Sequence, residues 1–277
     1  EALCEGRLKG GTFHFPISSV GATVNVLMAA TLASGKSTLH NVAIEPEIDA
    51  LVDYLIQMGA KIEGRGTRTL VIEGVEKLNP GSGATIPDRI EAGTYLIGAA
   101  MTRGCIKTTK MNPSHIEALL SSLREMGCDV SVGDSWVEVN AYQKKLKPIS
   151  VTTLPHPGFP TDLQAPMMAL LATIDGVSVI QDTVYNDRFT HIAELQRLGA
   201  DIQLTGNTAH VRGGKSLSSA PIMASDLRAG AALVLASLLA EGETSISRIY
   251  HIDRGYENFE EKMRSIGAQI QRTQEEG

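Results

Sequence analysis

LREMGCDV, residues 123–130, ends an amphipathic run on a glycine and resumes as an alternating one, and the chain repeats this pattern three more times. The other copies are LIQMGAKI (55–62), LQRLGADI (195–202) and MRSIGAQI (263–270). Their glycines, Gly59, Gly127, Gly199 and Gly267, recur at intervals of about 70 residues. A helix that closes in the left-handed conformation and leads into a strand takes glycine most easily, because no Cβ opposes the turn. One such site is weak evidence, but four in register define a repeat.

About 24 residues before each of these glycines lies another, Gly35, Gly104, Gly176 or Gly242, ending a more apolar helix. Between the two come a short β-rich run (STLHNV, CIKTTK, VSVIQD, ETSISRI) and then a polar helix start such as EPEIDALVDYL or NPSHIEALLSSL. One or two strands follow, as in AKIEGRGTRTLVIEG and CDVSVGDSWVEVN. With a leading strand the unit reads βαβαββ, an α/β (α+β) pattern, and four copies nearly fill the chain.

The first helix of each copy is small and apolar on all sides, AGAALVLASLLA (229–240) being the extreme, so burial on every face is expected. The second is amphipathic and is expected to cover sheet. Helices inside and sheets outside require several copies around a shared axis, and four do not divide obviously into closed domains. The expectation is a piece of a larger assembly.

The four apolar helices start at SVGAT (19–23), DRIEAGT (88–94), TDLQAPM (161–167) and SDLRAGA (225–231). Ser and Asp cap helices through side-chain oxygens, and capping is the plain reading of Asp162 and Asp226. Capping does not account for Arg89 and Arg228, since a cation near a helix N-terminus opposes the macrodipole. Such an arginine is better placed facing an anion or a neighbouring carboxylate, and helix N-termini converging with arginines would suit phosphate or carboxylate. Arg188 (VYNDRFTHIAEL, 184–195) and Arg254 (RIYHIDRGYENFEEKM, 248–263) precede the polar helices of the last two copies. Each is read either as a solvated surface residue or as an anion-binding one.

Other chemistries have little support. The net charge of -6, with basic residues scattered, gives no stripe for a nucleic acid backbone. Cys4, Cys105 and Cys128 form no CxxC pair and no metal-ligand spacing, which fits a reducing, cytoplasmic compartment. GKST (35–38) lacks the earlier glycine of a phosphate loop, and the histidines are dispersed. The longest apolar run is too short to span a bilayer, and EALCEGRLKG has no signal layout, so no membrane partner is expected.

Taken in order, SVGAT, EPEI (45–48), IPDRIEAGT (86–94), PHPGFPTD (155–162), MASDLRA (223–229) and RIYHIDRGYE (248–257) closely resemble the UDP-N-acetylglucosamine 1-carboxyvinyltransferases, a family of enolpyruvyl transferases. The resemblance runs over essentially the whole chain. It implies an inside-out α/β barrel fold of six βαβαββ units in two three-unit barrels, of which this chain holds four. Residues 1–86 would be the last unit of the first barrel. Residues 87–277 would be the second barrel, lacking an amino-terminal segment. The family's Lys-Asn pair and its mobile loop with a reactive Cys would lie upstream, and none of the three cysteines here replaces that Cys.

The implied reaction moves enolpyruvyl from phosphoenolpyruvate to the 3-hydroxyl of UDP-N-acetylglucosamine, the first committed step of peptidoglycan synthesis, with no metal or organic cofactor. By motif, Asp162 matches the carboxylate beside the sugar 3-hydroxyl in a cleft between barrels. Arg254 and Arg228 match the cations that hold phosphoenolpyruvate, with Arg188 assisting. Ser19, Val20, Gly21 and Val184 match contacts to the uridine nucleotide sugar, and Arg89 joins the substrate-binding set. Ile17 stands where some relatives carry Lys. The isolated chain is expected to be inactive unless its amino-terminal part is supplied. The rival readings are the shikimate-pathway enolpyruvyl transferase, 3-phosphoshikimate 1-carboxyvinyltransferase, and a non-catalytic UDP-sugar-binding fragment.

Overall fold

The computed structural model describes residues 4–185 and 187–273. The chain divides into two compact units, Glu1–Pro87 and Asp88–Gly277.

The first unit runs β1 (Thr12–His14), α1 (Val20–Thr31), β2 (Lys36–His40), α2 (Pro46–Gln57), β3 (Lys61–Glu63) and β4 (Thr69–Glu73), a full βαβαββ copy. Its sheet has the order β1-β2-β4-β3, with β1 parallel to β2 and the other pairs antiparallel. The core gathers Leu27, Leu39, Val52, Leu70 and Ile72 between helices and sheet. Here one expectation fails. α1 buries only Thr23, Leu27, Ala30 and Thr31, while Met28 and Leu32 are each 43% exposed. A helix apolar all round needs like helices on its other faces, and this unit holds a single one.

The second unit opens with α3 (Arg89–Met101), β5 (Cys105–Thr109), a 3-10 turn (Pro113–Ile116) running into α4 (Glu117–Met126), β6 (Asp129–Gly133) and β7 (Trp136–Asn140). It continues with β8 (Ser150–Thr153), a 3-10 turn (Thr161–Leu163) running into α5 (Gln164–Ala172), β9 (Gly176–Asp182), α6 (His191–Arg197), β10 (Asp201–Thr205) and β11 (Thr208–Gly213). It closes with β12 (Ile222–Met223), α7 (Leu227–Ser237), β13 (Ile246–Ser247), α8 (Tyr250–Asp253) and α9 (Phe259–Ser265). The sheet β8-β9-β11-β10 reproduces the parallel-then-antiparallel plan of the first unit. The sheet β5-β7-β6 has no leading parallel strand, and β12-β13 is a parallel pair of two-residue strands with no antiparallel pair beside it, among the described residues. Among the described residues, two of the four copies therefore show fewer strands than the first.

α3, α5 and α7 pack on one another, and α3 and α5 also face sheet. Every residue of α5 is buried, Met167, Met168, Leu170 and Leu171 completely. Each such side chain contributes about 1.5–3 kcal/mol relative to an exposed one. α4 and α6 are the amphipathic partners: α4 buries Leu119, Leu120, Leu123 and Met126. The four defining glycines all take positive φ, from 94° at Gly199 to 106° at Gly127. Of the upstream set, Gly35, Gly176 and Gly242 do so, but at the end of α3 the left-handed residue is Arg103, φ 56°, rather than Gly104. No described helix is long and apolar enough to cross a membrane.

Candidate active site

Three apolar helices start as expected. Ser19 Oγ accepts from Ala22 N at 3.3 Å at the head of α1, and Asp88 caps α3 through Ile90 N and Glu91 N. Asp226 caps α7, accepting from Arg228 N at 2.8 Å and Ala229 N at 2.9 Å.

Asp162 departs from the capping expectation. It is the middle residue of the 3-10 turn, whose cap is Pro160 with no side-chain bond, and α5 is entered from Leu163. The Gln164 N–H is already satisfied by Thr161 O, and Pro166 brings no N–H to the first turn of α5. With those donors removed or satisfied, the carboxylate turns away from the helix.

It turns to two guanidinium groups. Arg188 Nη2 donates to Asp162 Oδ1 at 2.9 Å, and Arg228 Nε donates to the same oxygen at 3.1 Å. Asp162 Oδ2 accepts no hydrogen bond among the described residues. Burial pushes the Asp162 carboxyl up, but the charges and hydrogen bonds of Arg188 and Arg228 together outweigh it, so the group sits below the usual carboxylate range. Burial opposes the charge of Arg228, and Tyr256 and Asp162 more than restore it. Arg228 lies over the Tyr256 ring, 5.6 Å to its centre, and Tyr256 in turn shares a 2.9 Å hydrogen bond with Thr94 of α3. Arg228 Nη1 is buried with no hydrogen-bond partner among the described residues, an unspent donor of the kind an anionic oxygen satisfies.

A support beneath this cluster escaped the sequence reading. Asp182, the fully buried last residue of β9, accepts from Thr153 Oγ1 (2.7 Å), Thr161 Oγ1 (2.6 Å), Val184 N (3.0 Å) and Tyr185 N (2.9 Å). Thr161 Oγ1 also accepts from Arg188 Nη1 at 3.2 Å. The only local signal was an acidic residue closing a strand two residues before a turn. The contacts to Thr153 and Thr161 link segments that sequence does not connect.

The remaining candidates are spread out. Arg254 is exposed at the end of α8, on an open depression of about 540 Å³ shared with Glu91, Asp253, Glu257, Glu260 and Arg272. It joins none of the described hydrogen bonds to Asp162. Arg89 is buried as the first residue of α3. Val184 is 40% exposed on the loop that carries Arg188. In the first unit, Ser19, Val20 and Gly21 form the head of α1, and Ile17 is exposed. No group of three or more His, Cys, Asp or Glu among the described residues is placed to hold a metal ion.

Comparisons with known proteins agree with one another. Residues 2–263 match the family described as EPSP synthase (3-phosphoshikimate 1-carboxyvinyltransferase). UDP-N-acetylglucosamine 1-carboxyvinyltransferase of Magnetococcus marinus is 54% identical over 267 residues, covering 96% of this chain and 64% of that protein. The protein of the same name from Acinetobacter baylyi is 51% identical over 271 residues, covering 98% and 65%. The chain thus spans somewhat less than two thirds of the length of these curated relatives. Among solved structures, the enolpyruvyl transferase NikO from Streptomyces tendae superposes with a TM-score of 0.86 at 27% identity, covering 96% of this chain and 66% of that one. EPSP synthase from Acinetobacter baumannii shares the fold, with a TM-score of 0.72 at 21% identity, covering 97% and 64%. A family match over nearly the whole length, on a fold shared with solved enolpyruvyl transferases, makes this chain a member of the EPSP synthase family.

Proposed function

We propose that this chain is the larger part of a UDP-N-acetylglucosamine 1-carboxyvinyltransferase, which moves enolpyruvyl from phosphoenolpyruvate to the sugar 3-hydroxyl and releases phosphate, in peptidoglycan synthesis. The observation that carries the reading is Asp162, an ionised carboxylate held by Arg188 and Arg228 through one oxygen, its second oxygen unengaged among the described residues. Half-identity to two proteins of that name supports the substrate pair.

In this reading Asp162 Oδ2 takes the proton of the 3-hydroxyl as that oxygen bonds to C2 of phosphoenolpyruvate, and C3 receives a proton from an upstream residue. Loss of phosphate from the tetrahedral adduct, together with a proton from C3, then gives the enol ether. A carboxylate with a depressed pKa is a weak base, so its two arginines must be drawn off. The carboxylate and phosphate of phosphoenolpyruvate compete for the same guanidinium groups, and the unpartnered Nη1 of Arg228 offers the first contact. The base therefore strengthens when its co-substrate arrives. Arg254 and Arg89 add positive charge for the anionic substrates, and Ser19, Val20, Gly21 and Val184 contact the nucleotide sugar.

We further propose the inside-out barrel arrangement, with the first unit as one βαβαββ copy of one barrel and the second unit as most of another. The mutual packing of α3, α5 and α7 supports it. The edge of β5 with no parallel neighbour among the described residues is where a further strand of the complete protein fits.

The test is phosphate release from phosphoenolpyruvate and UDP-N-acetylglucosamine by this chain supplemented with the amino-terminal third of a relative. Release that depends on both substrates and falls about a thousandfold with Asp162→Ala is expected, the general-base loss being of order 10²–10⁴. Full activity of Asp162→Ala would sink the assignment. The shikimate-pathway alternative follows from the family description itself. Saturable binding of shikimate 3-phosphate in preference to the UDP-sugar would favour it.

A further inference from the structure

Asp182 touches three separate segments at once. Its Oδ1 takes Thr153 Oγ1 of β8 and the backbone N–H groups of Val184 and Tyr185, which open the loop leading to Arg188. Its Oδ2 takes the hydroxyl of Thr161, the residue before Asp162. Because that hydroxyl spends its single proton on Asp182, its lone pairs face the other way and accept from Arg188 Nη1. Arg188 is thereby held at two points, Thr161 Oγ1 and Asp162 Oδ1, by one planar fork. Two further bonds brace the same corner: Thr183 Oγ1 donates to Thr153 O, and Asn207 Nδ2 donates to Asp182 O.

We propose that Asp182 is a positioning residue for the transfer reaction: through the direction of the Thr161 hydroxyl it fixes Arg188 against Asp162, without touching substrate. The proposal rests on the reading of Asp162 as the base, but its mechanism is written in contacts that exist without substrate. A carboxylate is required rather than any acceptor. In Asp182→Asn, Oδ1 can keep its three donors while the amide N–H₂ faces Thr161, so the Thr161 hydroxyl loses its acceptor and its proton is no longer held away from Arg188. Thr161→Val deletes the relay outright, and Thr161→Ser keeps it.

The decisive measurement is ¹³C NMR titration of the Asp162 carboxyl in this chain, identified by its absence from Asp162→Asn. Loosening of Arg188 in Asp182→Asn and in Thr161→Val should raise the Asp162 midpoint by roughly half a unit to one unit, while Thr161→Ser stays at the wild-type value. In the chain completed with an amino-terminal third, the first two variants should lose about ten- to a hundredfold in kcat with little change in KM, and Thr161→Ser should restore it. A folded Thr161→Val with an unmoved Asp162 midpoint overturns the proposal, and that variant decides the matter if Asp182→Asn does not fold. If the midpoint moves but the completed wild-type protein transfers nothing, the positioning role stands and the functional reading falls.

Discussion

Arg228 and Asp162 are 66 residues apart in sequence and 3.1 Å apart in space, although each sits at the head of its own apolar helix. The same Asp162 oxygen holds Arg188, so removing the carboxylate strands two cations at once. Asp162→Ala should therefore destabilise the fold by about 1–2 kcal/mol, the low end for a charged hydrogen bond because the carboxylate is 34% exposed. Urea titration checks this. Adding Arg228→Met to Asp162→Ala should recover part of the loss, since Arg228 is the more buried of the two arginines.

Acid should weaken the protein in two separable steps. His191 is buried and its Nε2 has no hydrogen-bond partner among the described residues; burial pushes its pKa down to about 4, with Asp226 and Arg188 acting in opposite directions. A depressed folded-state pKa means that the unfolded chain binds the proton first. The His191 contribution is therefore complete above the ordinary histidine value and is lost as pH falls from about 6.5 toward 4, by roughly 3 kcal/mol at most. Asp162 is also depressed, so its contribution is present above the ordinary carboxylate value and disappears only as pH falls further, below about 4. Stability curves of His191→Phe should lack the upper step and keep the lower one.

Arg188→Lys tests geometry rather than charge. One ammonium cannot reproduce a planar fork that bonds Thr161 Oγ1 and Asp162 Oδ1 together. Stability should change by no more than about 0.5 kcal/mol. In the completed enzyme kcat/KM should fall about ten- to a hundredfold.

Gly213, the last residue of β11, abuts the end of α5 so closely that a Cβ would strike the carbonyl oxygens of Leu171, Ala172 and Ile174. Backbone cannot yield as a side chain tip does. Gly213→Ala should cost about 2–3 kcal/mol, read as a drop in the thermal midpoint. Gly206→Ala, with open space around its Cβ position but φ 58°, should cost only about 1 kcal/mol.

The repeat was legible because its punctuation is local. A helix that turns left-handed into a strand imposes glycine, and Gly59, Gly127, Gly199 and Gly267 all carry that conformation. The reading was looser where side-chain chemistry permits an alternative: Arg103 adopts the left-handed turn assigned to Gly104. Which strands a copy lacks was hidden from periodicity for a different reason, although the resemblance did imply a missing amino-terminal segment. A strand exists only with a partner, and the two-residue β12 and β13 show how little of the last copy pairs among the described residues. At the site, the arginine beside the Asp226 cap correctly pointed to a neighbouring carboxylate. That Asp162 would not cap, and that Asp182 would bind the neighbouring Thr161, depended on hydrogen bonds spanning tens of residues, which periodicity cannot carry.

Asp162 and Asp226 occupy equivalent positions in successive copies, one freed by a 3-10 turn and a proline, the other still holding its helix. Repetition has the effect of redundancy: with Ser19, Asp88 and Asp226 securing their own helices, a fourth such residue could change occupation while the scaffold went on being held. On that view the apparent defect at the head of α5 is a vacancy that duplication made safe to open.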